Sequence, residues 1–173
     1  MKTGIWGFGV VGQTIFQYLI AQGNKDLLIY DDHDLSDNAC LQAHNVFVVN
    51  DLNNFLEACD LIFPSPGIDL NPYSNYQSKF CAELDLFYQN WHKPIFAITG
   101  TLGKTTLTTL LTTILNQSQT LKTVAAGNVG VGMCSILGTD YDQVVLELSS
   151  FQLEQAKNFA PDVAIWTNLY PNH

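Results

Sequence analysis

A glycine turn running straight into a lysine and two threonines is suited to holding phosphate. The chain has one in Ile95-Phe-Ala-Ile-Thr-Gly-Thr-Leu-Gly-Lys-Thr-Thr106. Bare glycines let backbone N–H groups converge on an anion, and the start of the following helix adds partial positive charge. In this pattern Lys104 reaches the terminal phosphates of a nucleotide and the Thr105 hydroxyl coordinates Mg2+. Gly100, Thr101, Gly103, Lys104, Thr105 and Thr106 are therefore the candidate nucleotide-binding residues. The standard phosphate loop has four residues between its glycines. Gly100 and Gly103 have two between them, so spacing alone also fits a plain strand–turn–helix. Glu147 closes a second apolar run, and a carboxylate there, facing a phosphate loop, suits an Mg2+ ligand. A salt-bridged or exposed strand end explains it too. His173 offers either a second metal ligand or plain surface.

A second glycine turn, Gly7-Phe-Gly9-Val-Val-Gly12, opens the chain, with Asp31 and Asp32 about 20 positions on. Strand, glycine turn, helix, strand and acid in that order describe a Rossmann-type mononucleotide site, with a simple turn as the alternative. Ser65-Pro-Gly-Ile68 follows another apolar run. A turn past a strand's carboxyl end is where open α/β sheets bind ligands, although a tight loop fits equally.

These residues need elements to hold them. Apolar runs predict strands at 3–6, 27–30, 46–49 and 60–63, with a turn over 7–12 and helices at 12–22, 55–58 and 81–90. Trp91-His-Lys-Pro94 punctuates the chain. Beyond it, strands are expected at 95–98, 123–126, 143–148 and 163–167. Leu107, Leu110, Leu111, Ile114 and Leu115 recur at helical spacing after the phosphate loop, and 151–158 reads as a further helix. Strands alternating with helices imply a parallel sheet in each half. The fold class is α/β: a Rossmann-like N-terminal domain over 1–92, then an incomplete P-loop-type parallel-sheet central domain over 93–173. Four polar or glycine clusters, at 100–106, 127–130, 147–152 and 168–173, would gather on one edge of the second sheet.

The chain has 173 residues, 47% hydrophobic and 13% charged, which suits one domain or two small ones with a buried core. A net charge of −9 argues against nucleic acid or an anionic membrane surface as partner. Cys40, Cys59, Cys81 and Cys134 form no CxxC pair and read as reduced structural thiols of a cytoplasmic protein. No apolar run is long enough to span a bilayer. Glycines interrupt the apolar start, against a signal peptide.

Three segments resemble the ATP-dependent Mur ligases of peptidoglycan synthesis: Ile98-Thr-Gly-Thr-Leu-Gly-Lys-Thr-Thr106, Gly127-Asn-Val-Gly130 and Leu146-Glu-Leu-Ser-Ser-Phe-Gln-Leu-Glu154. The last is similar to the family's glutamate-adding member, which Gly7–Gly12, Asp31 and Ser65-Pro-Gly-Ile68 also fit. The resemblance implies a cytoplasmic enzyme that uses ATP and Mg2+ to join D-glutamate to UDP-N-acetylmuramoyl-L-alanine through an acyl phosphate. By the same resemblance Lys104, Glu147 and His173 are catalytic, and Thr105, Glu147 and His173 hold Mg2+. Asn128 and Ser149 would approach the UDP-muramoyl substrate. Gly9, Val10, Val11, Asp31, Asp32, Ser65 and Gly67 would bracket its uridine diphosphate. Leu102 departs from the family's usual polar residue, Asn172-His173 from its Asp-His, and His33 from its basic residue beside the uracil. Such ligases have three domains. The resemblance therefore also implies an N-terminal piece, inactive alone and prone to self-associate through the incomplete second domain. Rival readings are another Mur-like ligase acting on another amino acid or folate, an NAD-binding Rossmann module, and a nucleotide-sensing module.

Overall fold

The structure, a computed structural model, describes residues 1–44 and 46–170. The chain divides into two compact units, Met1–Glu83 and Leu84–His173. The sequence placed a boundary at residue 92. The division falls earlier because the apolar side of the helix Glu83–Asn90 packs on the second sheet: Leu84, Phe87 and Trp91 join Ile95, Ala97, Val144 and Leu146 in one cluster.

In the first unit the elements run β1 (Thr3–Trp6), α1 (Val10–Ala21), β2 (Leu27–Tyr30), α2 (Ala39–His44), β3 (Phe47–Val48), α3 (Leu52–Ala58) and β4 (Leu61–Pro64). A stretch of 3-10 helix covers Asn71–Lys79. The strands form a parallel sheet in the order β3-β2-β1-β4, with Ile5 level with both Ile29 and Phe63. β1 leads through α1 to β2 on one side, while β3 leads through α3 to β4 on the other. The two helices cover opposite faces: Phe55 and Leu56 of α3 pack with Trp6 and Ile62, and the Phe16 ring of α1 meets Phe8 at 5.5 Å.

Helix α1 starts at Val10 and not at residue 12, and β3 is only Phe47–Val48 where four residues were expected. Gly12 thus belongs to the first turn of the helix and not to the preceding loop. Its lack of a side chain serves packing, since a Cβ there would overlap the Gly7 carbonyl oxygen.

The second unit continues with α4 (Glu83–Asn90), β5 (Ile95–Thr99), α5 (Lys104–Gln117), β6 (Thr123–Gly127), β7 (Gln143–Glu147), α6 (Ser150–Gln155) and β8 (Val163–Trp166). A turn of 3-10 helix covers Met133–Ile136. This sheet is also parallel, in the order β6-β7-β5-β8. Helices α4 and α6 supply Leu84, Phe87 and Leu153 to one face. Crossovers between parallel strands are right-handed as a rule, which puts α5, on the way from β5 to β6, on the other. Helix α6 ends at Gln155, short of the expected residue 158. There the backbone N–H groups of Lys157 and Asn158 donate to the buried Asp85 carboxylate and leave the helical pattern.

The apolar spacing on α5 is only partly used. Thr108 is fully buried, whereas Leu110 and Ile114 are 53% and 51% exposed. Strand β8 is the outer strand on its side, and Val163 and Trp166 are exposed.

Helix α1 leans on β1 through the bare Cα of Gly12, so Gly12→Ala should destabilise the protein by about 2 kcal/mol in urea unfolding. Gly9→Ala is the control, because nothing lies within 4 Å of a Cβ there. It should stay within about 0.5 kcal/mol of the parent. Equal effects of the two substitutions would contradict the packing argument.

Candidate functional sites at the carboxyl ends of the two sheets

In a parallel sheet, adjacent strands whose connections leave in opposite directions open a crevice at their carboxyl ends. In the second unit these strands are β5 and β7. Their loops carry the phosphate-type turn and the Glu147 segment.

The turn Gly100–Gly103 leads into the 14 residues of α5. Gly103 occupies the N-cap position with φ 81°, no side chain caps the helix, and its first turn contains no acid. The first N–H groups of a helix have no intrahelical acceptor. Among the described residues they also lack a capping side-chain acceptor, which leaves donors and positive potential facing out. The Lys104 ammonium sits over the same turn, donating to the carbonyls of Gly100 at 2.6 Å and Thr101 at 3.1 Å. Thr105 and Thr106 are exposed in the first helical turn. The structure therefore brings all six candidate nucleotide-binding residues together.

Glu147 lies level with Ile98 on the neighbouring strand, two residues before Gly100. It is 5% exposed, and its Oε2 has no hydrogen-bond partner among the described residues. A buried, unpaired carboxylate oxygen is costly, and a cation beside it removes the cost. A buried carboxylate oxygen of this kind suits a hard divalent cation. No cluster of three or more His, Cys, Asp or Glu suited to a metal occurs among the described residues. His173 lies outside the described residues.

Asn128 and Ser149 reach the same edge. The Asn128 N–H donates to the Glu147 carbonyl at 3.0 Å, and its residue is exposed. Ser149 caps α6: its hydroxyl accepts from the Gln152 N–H, and the Gln152 side chain accepts from the Ser149 N–H. That reciprocal box fixes where the Glu147 segment ends.

In the first unit the crevice opens between β1 and β4. Gly9 caps α1 without a side-chain bond, Val10 is 76% exposed, and Val11 follows in the first turn. Across the crevice, the Ser65 N–H donates to the Trp6 carbonyl at 2.8 Å and the Ser65 hydroxyl to that of Gly7 at 3.3 Å. Gly67 has open space around its Cα. The glycine turn and the Ser65 turn therefore meet.

Asp31 stands at the end of β2, as expected, but turned toward its own loops. One carboxylate oxygen accepts from the Phe8 N–H at 2.6 Å and the other from the backbone and ring nitrogens of His33. Burial pushes its pKa up. The bonds from Phe8 and His33 outweigh this and hold the carboxyl below its usual value. Asp32 accepts from the Tyr30 hydroxyl, which pushes that phenol's pKa up.

Sequence reasoning missed how the segment after β8 engages the phosphate-type turn. Thr167 and Asn168 hydrogen-bond to Leu102, and Tyr170 to Thr101. Polar residues after a strand were the only signal, and they do not reveal partners.

Residues 98–173 match the Mur ligase middle domain. The particular relatives are UDP-N-acetylmuramoylalanine–D-glutamate ligases. The chain is 31% identical to that of Thermosipho africanus, over 100% of this chain and 44% of the relative. It is 35% identical to that of Desulfotalea psychrophila, over 98% and 40%. The chain thus spans less than half the length of these relatives. The crystal structure of UDP-N-acetylmuramate-alanine ligase MurC from Thermotoga maritima matches with a TM-score of 0.54 and 23% identity, over 100% of this chain and 42% of that one, which shows the fold. No helix among the described residues is long and apolar enough to cross a membrane.

The orphan oxygen of Glu147 gives a direct test. In metal-free buffer Glu147→Gln should raise the unfolding free energy by about 1 kcal/mol, because it removes a buried unpaired charge. A loss of that size would mean that the carboxylate has a protein partner.

Proposed function

We propose that this chain forms the UDP-substrate and nucleotide-binding part of a cytoplasmic ATP-dependent ligase that adds D-glutamate to UDP-N-acetylmuramoyl-L-alanine. The observation that carries the reading is the pair of carboxyl-end crevices, each with an uncapped helix N-terminus, the second also holding Lys104 and the orphan Glu147 oxygen. The similarity to D-glutamate ligases along the whole chain supports the choice of substrates.

In this reading the α1 N-terminus, with Gly9, Val10 and Val11, receives the diphosphate of the UDP-sugar. Asp31, Asp32, Ser65 and Gly67 shape the walls around the nucleoside. The α5 N-terminus and Lys104 hold the ATP phosphates and draw charge off the transferring phosphoryl group. Asn128 and Ser149 lie where the muramoyl end would arrive. Thr105 and Glu147, with His173 beyond the described residues, would hold Mg2+. When bound, that ion neutralises charge on the phosphates. These residues serve binding and transfer of the terminal phosphoryl group of ATP to the substrate carboxylate, the step that gives an acyl phosphate and ADP.

A dinucleotide module is the second reading, supported by the glycine turn with Asp31. It is disfavoured because both Asp31 oxygens already accept bonds from Phe8 and His33, and because it leaves Lys104 and Glu147 without a task.

Calorimetric titration separates the readings. UDP-N-acetylmuramoyl-L-alanine and MgATP should each bind saturably, NADH should not, and Lys104→Ala should weaken only MgATP, by about tenfold or more. NADH binding without a response to the UDP-sugar would overturn the proposal.

A further inference from the structure

We propose that Asn168 is a positioning residue for the phosphate-type turn, acting as an amide clasp on the backbone of Leu102; its effect on nucleotide rests on the ATP-site reading above. The Asn168 side chain makes both bonds that a paired strand would make. Its Oδ1 accepts from the Leu102 N–H at 3.0 Å, and its Nδ2 donates to the Leu102 carbonyl at 2.9 Å. The two bonds fix the amide's orientation, since a flipped amide would set oxygen against oxygen and N–H against N–H.

Four further bonds tie the same segment to the turn. The Thr167 hydroxyl donates to the Leu102 carbonyl at 2.7 Å, the Thr101 N–H to the Asn168 carbonyl at 3.2 Å, the Tyr170 N–H to the Thr101 hydroxyl at 3.0 Å, and the Thr101 hydroxyl to the Tyr170 carbonyl at 3.3 Å. Gly100, at φ 132°, lets the segment pass, because a Cβ there would overlap the Thr167 hydroxyl.

The clasp accounts for the short spacing between Gly100 and Gly103. In a longer loop, several N–H groups can turn toward an anion. Here those of Thr101 and Leu102 are already committed to Asn168. The donors left for phosphate are those at the start of α5, beside Lys104. Their aim depends on the turn being held where it is, and small misplacements of such groups are costly to binding and catalysis. The Leu102 side chain, where a polar residue was expected, is 60% exposed and takes no part; only its backbone is used.

The test compares the parent chain with Asn168→Ala and Asn168→Asp by hydrogen exchange at the Leu102 amide and by MgATP titration. Asn168→Ala should speed exchange at Leu102 and weaken MgATP about tenfold or more, with the far-UV spectrum unchanged. Asn168→Asp presents a carboxylate to the Leu102 carbonyl at pH 8 and should behave like the alanine variant. Should the alanine variant not fold, the aspartate variant, which keeps the side chain's size but lacks the donor to the Leu102 carbonyl, decides by the MgATP titration. Unchanged exchange at Leu102 in the alanine variant, or an MgATP affinity in either variant equal to that of a parent that binds it, would overturn the inference. A parent that ignores MgATP, while Asn168→Ala still frees the Leu102 amide, overturns the nucleotide reading and upholds the clasp.

Discussion

Two helices that leave neighbouring parallel strands in opposite directions cannot both cover those strands' ends. In the second sheet α5 leaves β5 toward β6 and α6 leaves β7 toward β8, which opens a crevice between β5 and β7; in the first, α1 leaves β1 toward β2 while the chain after β4 runs into the Ser65 turn, so the carboxyl ends of β1 and β4 stay open as well. The polar content of each crevice follows from its position. Strand ends there deliver turns, and the turns deliver helix N-termini whose N–H groups need an acceptor. In both cases the N-cap is a glycine without a capping side chain, so that acceptor has to come from outside the helix. Glu147 supplies the complementary feature, a buried acceptor oxygen without a donor among the described residues.

The first crevice is held by bonds between turns. Ser65 ties its turn to Trp6 and Gly7, and Asp31 ties Phe8 to the end of β2. The second is held by capping and by the clasp. The Ser149–Gln152 box ends the Glu147 segment, and Thr167 and Asn168 secure the phosphate-type turn. Neither arrangement consumes the N–H groups at the start of α1 or α5. Rigid turns beside free donors are what preorganised anion binding requires.

Much of this was legible in the sequence. Buried parallel strands are apolar runs, so β1, β2, β4, β5, β6 and β7 stood out; β8 is an apolar run as well, but an exposed outer strand. The glycine turns marked the crevices, and Glu147 was visible as an acid closing an apolar run. What was not legible depended on tertiary contact. The start of α1 at Val10 needs the approach of Gly12 to Gly7. The early end of α6 needs the buried Asp85 carboxylate. The apolar side of α4 does not say which sheet it covers. Helix α2 and the 3-10 stretch at Asn71–Lys79 are short or polar, with no apolar periodicity to announce them. Asn168 carried no signal beyond polarity, because its role lies in the geometry of one amide against one backbone unit.

If each carboxyl-end crevice is a phosphate site, amide chemical-shift mapping will locate both ligands. MgATP should move the resonances of Gly100–Thr106 and Glu147. UDP-N-acetylmuramoyl-L-alanine should move those of Phe8–Gly12 and Ser65–Gly67. Shifts confined to the hollow at the opposite end of β5, around His92, Lys93 and Asp162, or no shifts with either ligand, would contradict the account.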